Sequence, residues 1–277
     1  MKASQLWRRS VLTVGLSVLA LSVLAQAQTT TKPFQPEVGQ PGKDVVWVPT
    51  PQALVDKMLD MAKVTPQDYV IDLGSGDGRT VITAAKRGAR ALGIEYNPDM
   101  VALSQRNAAT EGVTGRATFA KADLFESDFS QANVITMFLL PDINLRLRPK
   151  ILDLKPGTRI VSNTFTMDDW MPDETAVVGS ECVAWCTALF WIVPAKVAGS
   201  WVFPQGQLNL TQQFQMVSGT LRNSGGVTPI SNGRLQGDQI SFDAGDIQYT
   251  GRVSGDVIDG RVAAGPINNA WRATRAR

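Results

Sequence analysis

Val70-Ile71-Asp72-Leu73-Gly74-Ser75-Gly76-Asp77-Gly78 is the stretch on which the reading of this chain turns. The spacing predicts an apolar strand over Tyr69–Leu73, a turn with glycines at Gly74, Gly76 and Gly78, and a helix over Arg79–Arg87. Glycines at such a turn let backbone pass close to a ligand and take φ values that other residues avoid. The helix start behind them presents N–H groups that have no intrahelical partner. Asp72 stands just before the first glycine. A second acid, Glu95, ends the next apolar stretch, Ala91–Ile94, near the spacing at which an adenosine ribose is held. The stretch reads as a site for an adenosine-containing cofactor.

A dinucleotide fingerprint spaces its glycines G-x-G-x-x-G beneath a pyrophosphate. Here the spacing is G-x-G-x-G, and Asp72 and Asp77 bring two carboxylates that would repel a pyrophosphate and suit a cation. With Glu95 and a third acid, Asp123 in K-A-D-L-F, the chain resembles the class I S-adenosylmethionine-dependent methyltransferases. That cofactor carries a sulfonium and an ammonium and no phosphate. The resemblance implies that Asp72 and the turn Gly74, Ser75, Gly76 and Gly78 hold the methionine part. It also implies that Glu95 takes the ribose hydroxyls and that Asp123 lies near the adenine amine. Tyr96 is a candidate to stack on adenine, and Asn97 reads as a helix cap.

The 277 residues suffice for one large domain or two modest ones, and 44% hydrophobic composition supports a packed core. The chain has no histidine, which excludes histidine triads and H-E-x-x-H zinc sites and leaves proton transfer to a carboxylate, Tyr, Lys, water or substrate. No metal site is expected. Lys2, Arg8 and Arg9, the apolar run Val11–Ala25 and the small-x-small Ala25-Gln26-Ala27 read as a cleavable signal peptide over 1–27. The expected location is exported and periplasmic, with Arg8-Arg9 hinting at the twin-arginine route and an uncleaved membrane anchor as the alternative. Cleavage would remove three basic residues and no acid, leaving 24 basic against 25 acidic, so no nucleic-acid partner is expected. Export permits a disulfide between Cys182 and Cys186. On an extended strand their Cα atoms would lie too far apart, so two separate buried thiols are an equal expectation.

Residues 28–44, rich in Thr, Pro and Gln, read as a linker. Thr50 is expected to cap a helix that starts at Pro51 and runs through Met61. Strands follow at Tyr69–Leu73, Ala91–Glu95, Ala117–Ala120, Asn133–Phe138 and Thr158–Ser162, alternating with helices that include a broken one over Asp142–Leu154. Thr175–Val178 and Ala188–Val193 are candidates to close the sheet. This pattern over 45–195 predicts an α/β fold, a Rossmann-like methyltransferase sheet with helices on both faces. From residue 199 the helical period disappears. Gln207–Leu210, Gln212–Leu221, Gly233–Leu235, Gln239–Phe242, Ile247–Val253, Val257–Val262 and Ala270–Thr274 are short alternating stretches. They predict that 199–277 is a small all-β antiparallel meander or barrel, a structural or partner-binding module or one with a ligand cavity inside.

The stretch Val48–Trp170 resembles a narrower group. V-P-T-P before the first helix, D-L-G-S-G-D-G-R, G-I-E-Y-N-P, K-A-D-L-F, the F-L-L-P turn at Phe138–Pro141 and P-G-T-R-I-V-S-N-T-F are similar to the small protein-lysine methyltransferases of mitochondria and their bacterial relatives. Those act on the c-subunit of ATP synthase and on the adenine nucleotide translocase, which implies a membrane-associated protein lysine as acceptor. An export signal and a C-terminal β module are departures from that group. Thr50, Pro141 and Asp142 are candidates to line the acceptor pocket, and Trp47 and Trp170 to wall its channel or pack in the core. A small-molecule methyltransferase whose β module closes the pocket, and a non-catalytic envelope-binding protein that uses residues 199–277, stay open as alternatives.

Overall fold

Val70–Leu73 is buried on both faces, as the centre of a parallel sheet requires. A computed structural model describes residues 33–179, 182–204, 206–264 and 267–276; the expected signal peptide lies outside them. Helix α1 (Gln52–Met61) leads into β1 (Tyr69–Leu73), α2 (Arg79–Lys86), β2 (Arg90–Glu95), α3 (Pro98–Thr110), β3 (Ala117–Lys121), β4 (Val134–Met137), α4 (Pro141–Leu152) and β5 (Arg159–Asn163). Two further strands, β6 (Glu174–Val177) and β7 (Thr187–Ile192), complete a seven-stranded sheet of order β3-β2-β1-β4-β5-β7-β6. β1 to β5 are mutually parallel, whereas β7 runs against both β5 and β6. The strand order reverses direction between β1 and β4, where a crevice opens at the carboxyl edge.

Each face of the sheet carries its own core. Leu54, Val55, Met58 and Leu59 of α1 pack with Val81, Ala84 and Ala85 of α2 over Val70 and Val134. On the opposite face, Ile143, Leu147 and Ile151 of α4 cover Ile71, Leu73, Ile135 and Met137. The alternation along β1 and β4 thus feeds both layers. Asn97 caps α3 as expected, its side chain accepting the Asp99 N–H at 2.9 Å. Thr50 does not cap α1: the cap residue is Pro51, and the Thr50 hydroxyl instead accepts from Asn163 Nδ2 at 3.3 Å. Helix α4 is unbroken, with Pro149 accommodated near its end.

The second part is a closed eight-stranded antiparallel barrel, made of β8 (Gly199–Phe203), β9 (Gly206–Gln213), β10 (Met216–Asn223), β11 (Gly226–Gln236), β12 (Gln239–Ala244), β13 (Ile247–Ser254), β14 (Val257–Ala264) and β15 (Ile267–Arg275). The stretch expected as one strand over Gln212–Leu221 is a hairpin that turns at Phe214 and Gln215. Its core is made by buried side chains that include Trp201, Leu208, Leu235, Ile240 and Ile258. Tyr249 stacks on Phe242 with ring centroids 4.9 Å apart, and Trp271 meets both rings edge-on. Closure pairs β8 with β15 and leaves no free sheet edge.

The β9–β10 turn fastens the barrel to the sheet. Phe214 stacks on Trp170 at 5.8 Å, and Gln215 donates to the Met171 carbonyl at 2.8 Å. Arg234 pairs with the partly buried Asp173 at 2.6 Å. Trp170, expected as either channel wall or core, is fully buried between Phe214 and Trp191, so it is core. Emptying that position leaves a large cavity at the junction. Trp170→Ala is expected to cost about 3–5 kcal/mol of unfolding free energy, read as a lowered urea midpoint; a midpoint equal to wild type would contradict the packing role.

Candidate active site

The loop after β1 is shaped by backbone, and its neighbours fix that shape. Gly74, Gly76 and Gly78 all have positive φ, at 77°, 54° and 82°. A Cβ on Gly76 would stand 2.7 Å from the Trp47 indole nitrogen, and one on Gly78 would stand 2.8 Å from the Phe119 ring. Only glycine fits both the conformation and the space. Helix α3 supports the loop from beneath: Ser104 donates to the Gly76 carbonyl at 2.8 Å and Asn107 to that of Asp77 at 2.9 Å. Ser75 lines the crevice, and its buried hydroxyl has no partner among the described residues.

The three carboxylates that the sequence pointed to, Asp72, Glu95 and Asp123, all line one cavity at this edge, and each is held differently. Glu95, at the end of β2, accepts the Gly76 N–H at 3.0 Å and the Asn97 N–H at 2.9 Å. Each oxygen keeps a lone pair for a further donor. Asp72 is buried, and Thr136 donates to it at 2.7 Å. Burial pushes its carboxyl up to about 7; the nearby Asp77 and Glu95 add to the rise and the Thr136 hydrogen bond opposes it. Asp123 lies beyond β3 and pairs with Lys43, and that contact with the Phe125 N–H holds its carboxyl below the usual range. Tyr96, half exposed, lies beneath the Lys43 ammonium, which is 4.9 Å from the ring centroid.

Asp77 departs from the expected role. It is engaged in an ion pair with Arg79 at 2.6 Å, so it does not contribute a second free negative charge to the loop. Asp72, at the end of β1, is the acid beside that turn without a basic partner among the described residues, and the charge of Asp77 still acts on it.

The segment expected as a linker also has more to do than connect. Gln40 to Trp47 form a tight turn, closed by hydrogen bonds from the Gly39 N–H to the Trp47 carbonyl and from the Trp47 N–H to the Gln40 carbonyl, at 2.8 and 2.9 Å. Residues 40–50 line the cavity as a strap, fastened by Lys43 to Asp123. Of the acceptor-pocket candidates, Thr50 lines the cavity and Trp47 packs on Gly76. Pro141 and Asp142 do not line it, because α4 begins at Pro141 and turns both residues to solvent, leaving Leu139 and Leu140 at the rim.

Sequence reasoning passed over a cluster of three rings on the same cavity. Phe138 follows β4, Phe165 follows β5, and Trp185 precedes β7. Their centroids lie 5.3 to 5.9 Å apart. Trp185 sits inside a loop closed by a Cys182–Cys186 disulfide, with Cα atoms 5.7 Å apart. The cysteines can bridge because their segment turns back on itself instead of extending, which overturns the expectation of two separate thiols.

The state of Asp72 gives a direct test. The folded protein binds its proton more tightly than the unfolded chain, so ionisation removes stability as pH rises from about 4 to 7. The full penalty, at most about 4 kcal/mol, stands above that. Asp72→Asn is therefore expected to melt higher than wild type at pH 8 without ligand, to lose that advantage towards pH 4, and to bind a cationic cofactor more weakly. Thermal melts across that range, with calorimetry at pH 8, check all three. An advantage independent of pH would contradict the assignment.

Residues 72–174 match the ANTKMT methyltransferase domain. A protein-lysine N-methyltransferase of Saccharolobus islandicus is 47% identical over 137 residues, covering 48% of this chain and 85% of that protein. The human lysine N-methyltransferase of the ATP synthase C-subunit is 35% identical over 138 residues, covering 50% of this chain and 59% of that protein. A Salinibacter ruber RNA methyltransferase, solved in complex with S-adenosyl-L-homocysteine, is 44% identical with a TM-score of 0.51, covering 54% of this chain and 96% of that one. The matched region holds the glycine loop, Glu95 and Asp123 in the order expected. The chain belongs to the S-adenosylmethionine-dependent methyltransferases built on the ANTKMT methyltransferase domain.

Proposed function

We propose that this methyltransferase is exported and transfers its methyl group to a protein lysine. The observation that carries the reading is the crevice itself, where the buried Asp72, the loop-bound Glu95 and the strapped Asp123 line a single cavity beside a glycine turn. In this reading Asp72, Ser75 and the backbone of Gly74, Gly76 and Gly78 hold the cationic amino-acid part of S-adenosylmethionine. Glu95 accepts from the ribose hydroxyls, Tyr96 covers the adenine face and Asp123 lies near the adenine amine. When bound, the cofactor supplies an electrophilic methyl group on a sulfonium. The protein's share is alignment and exclusion of water.

A lysine acceptor must lose a proton before it can act as nucleophile, and its free pKa is about 10.4. Removal from water and a nearby positive charge both lower that value. The cavity combines apolar walls at Val45, Leu139 and Leu140 with a cofactor cation, so a histidine base is not required. The activities for which the Saccharolobus and human relatives are named support a lysine. The Salinibacter relative is named for RNA instead. Against a phosphate-rich acceptor, Lys43 and Arg79, the basic residues lining the cavity, are each engaged with an aspartate. The Cys182–Cys186 bridge supports an oxidising compartment. The described barrel residues do not line the cavity, which favours a partner-binding or structural role for the barrel over closure of the pocket, with an envelope partner the matching expectation.

Two measurements check the reading. Glu95→Ala is expected to weaken S-adenosylmethionine binding about 10- to 100-fold by calorimetry, the loss of charge-assisted hydrogen bonds; unchanged affinity would contradict its role. Tritium from labelled cofactor is expected to enter lysine of an envelope protein fraction, and not RNA or a metabolite extract. Label confined to RNA or to small molecules would overturn the lysine assignment.

A further inference from the structure

The aromatic rings at the β4–β5 end of the crevice have no part in holding the cofactor as described above. Glu95 ends β2, Asp123 follows β3 and Asp72 lies on β1, so these acids occupy one half of the carboxyl edge. Phe138, Phe165 and Trp185 occupy the other half, beyond β4, β5 and the start of β7. Phe138 and Phe165 are partly buried, whereas Trp185 is 42% exposed at the rim. The wall therefore runs from solvent inward, on the same cavity as Asp72.

We propose that Phe138, Phe165 and Trp185 form the acceptor subsite, an aromatic wall that receives the positively charged end of a lysine side chain and its methylated product. This rests on the lysine reading above and adds the residues that select for it. A cation placed over an aromatic face within about 6 Å of its centroid is attracted by the ring quadrupole, and the indole face is the strongest of the three types. Attraction to the ring faces favours the ammonium as it enters. Loss of the proton then depends on removal from water and on the cofactor's positive charge further in.

Trp185 is held in place by covalent structure. Its φ of +60° is a left-handed conformation that a bulky residue rarely adopts. The residue lies within the short loop that the Cys182–Cys186 bridge closes, and the Cys186 carbonyl accepts the Val178 N–H at 2.9 Å. The Thr164 N–H donates to the Thr187 carbonyl at 2.7 Å, which sets Trp185 beside Phe165. The disulfide thus positions a recognition residue as well as constraining the chain.

The test compares two small probes on the full chain saturated with S-adenosyl-L-homocysteine: Nα-acetyl-Nε-trimethyl-lysinamide and its uncharged carbon isostere. The wild type is expected to bind the cation about 3- to 30-fold more tightly. Trp185→Ala is expected to bring the ratio close to one, Trp185→Phe to keep part of it, and the Cys182→Ser/Cys186→Ser double variant to lower it with all three rings retained. Homocysteine-nucleoside affinity within about 2-fold of wild type in each variant would show that the fold and cofactor half are intact. Equal binding of both probes by the wild type, binding of neither, or a preference that survives Trp185→Ala would overturn the proposal. The tritium experiment separates this from the lysine reading. Label in RNA with a Trp185-dependent cation preference sinks the reading and leaves a cation subsite. Label in lysine with an unchanged KM in Trp185→Ala sinks the subsite and leaves the reading.

Discussion

A carboxylate kept from water without a cation beside it is the constraint around which the crevice is built. Asp72 ends up there because β1 is central in the sheet and buried on both faces. Thr136 on the adjacent strand β4 is its hydrogen-bond partner among the described residues, and the nearest charges raising its pKa are other acids. Such an arrangement subtracts stability at neutral pH and persists where function needs it. Asp77 adds to the repulsion even though it is paired with Arg79. What remains is a single buried site that gains most from a bound positive charge.

The same edge of the sheet divides that task among neighbouring strands. The β1 loop approaches with bare backbone, β2 delivers Glu95 with two N–H groups already aligning it, and the strap brings Lys43 across to Asp123. Because Lys43 holds Asp123, anything that takes this acid must exchange for the ammonium, so the strap and this end of the crevice are coupled. Beyond the reversal point, the edge turns apolar and aromatic. One continuous crevice thereby offers charge at one end and rings at the other, a division that suits a cationic donor and an amine acceptor.

The parallel sheet was legible because its signals are local. An apolar run, a glycine turn and an acid at the next strand end recur at fixed spacing, and Asn97-Pro98 announces its helix by chemistry that needs no distant partner. Pro141 and Asp142 misled because sequence gives the start of α4 but not the direction in which that start faces. Thr50 looked like a cap, yet its hydroxyl is taken by Asn163, more than a hundred residues away. The strap was hidden by its composition: Pro, Gly and Gln between 36 and 42 read as a connector, and only the pairing of Lys43 with Asp123 reveals it as a wall. The ring cluster was invisible for the same reason, since Phe138, Phe165 and Trp185 share no spacing and meet only through the order of β4, β5 and β7. In the barrel the alternating pattern was visible but the turn at Phe214-Gln215 was not, because it lacks the glycine that marks the hairpins at Gly237, Gly245 and Gly255.

The central claim is that the acids of β1, β2 and the loop after β3 jointly receive the cofactor. A crystal structure of the full chain with S-adenosyl-L-homocysteine tests it most directly. The account predicts ribose hydroxyls within about 3 Å of Glu95, the amino-acid part against the glycine loop and Asp72, and Lys43 withdrawn from Asp123. A ligand bound elsewhere, or a crevice still closed by the Lys43–Asp123 pair with the nucleoside outside it, would contradict the account.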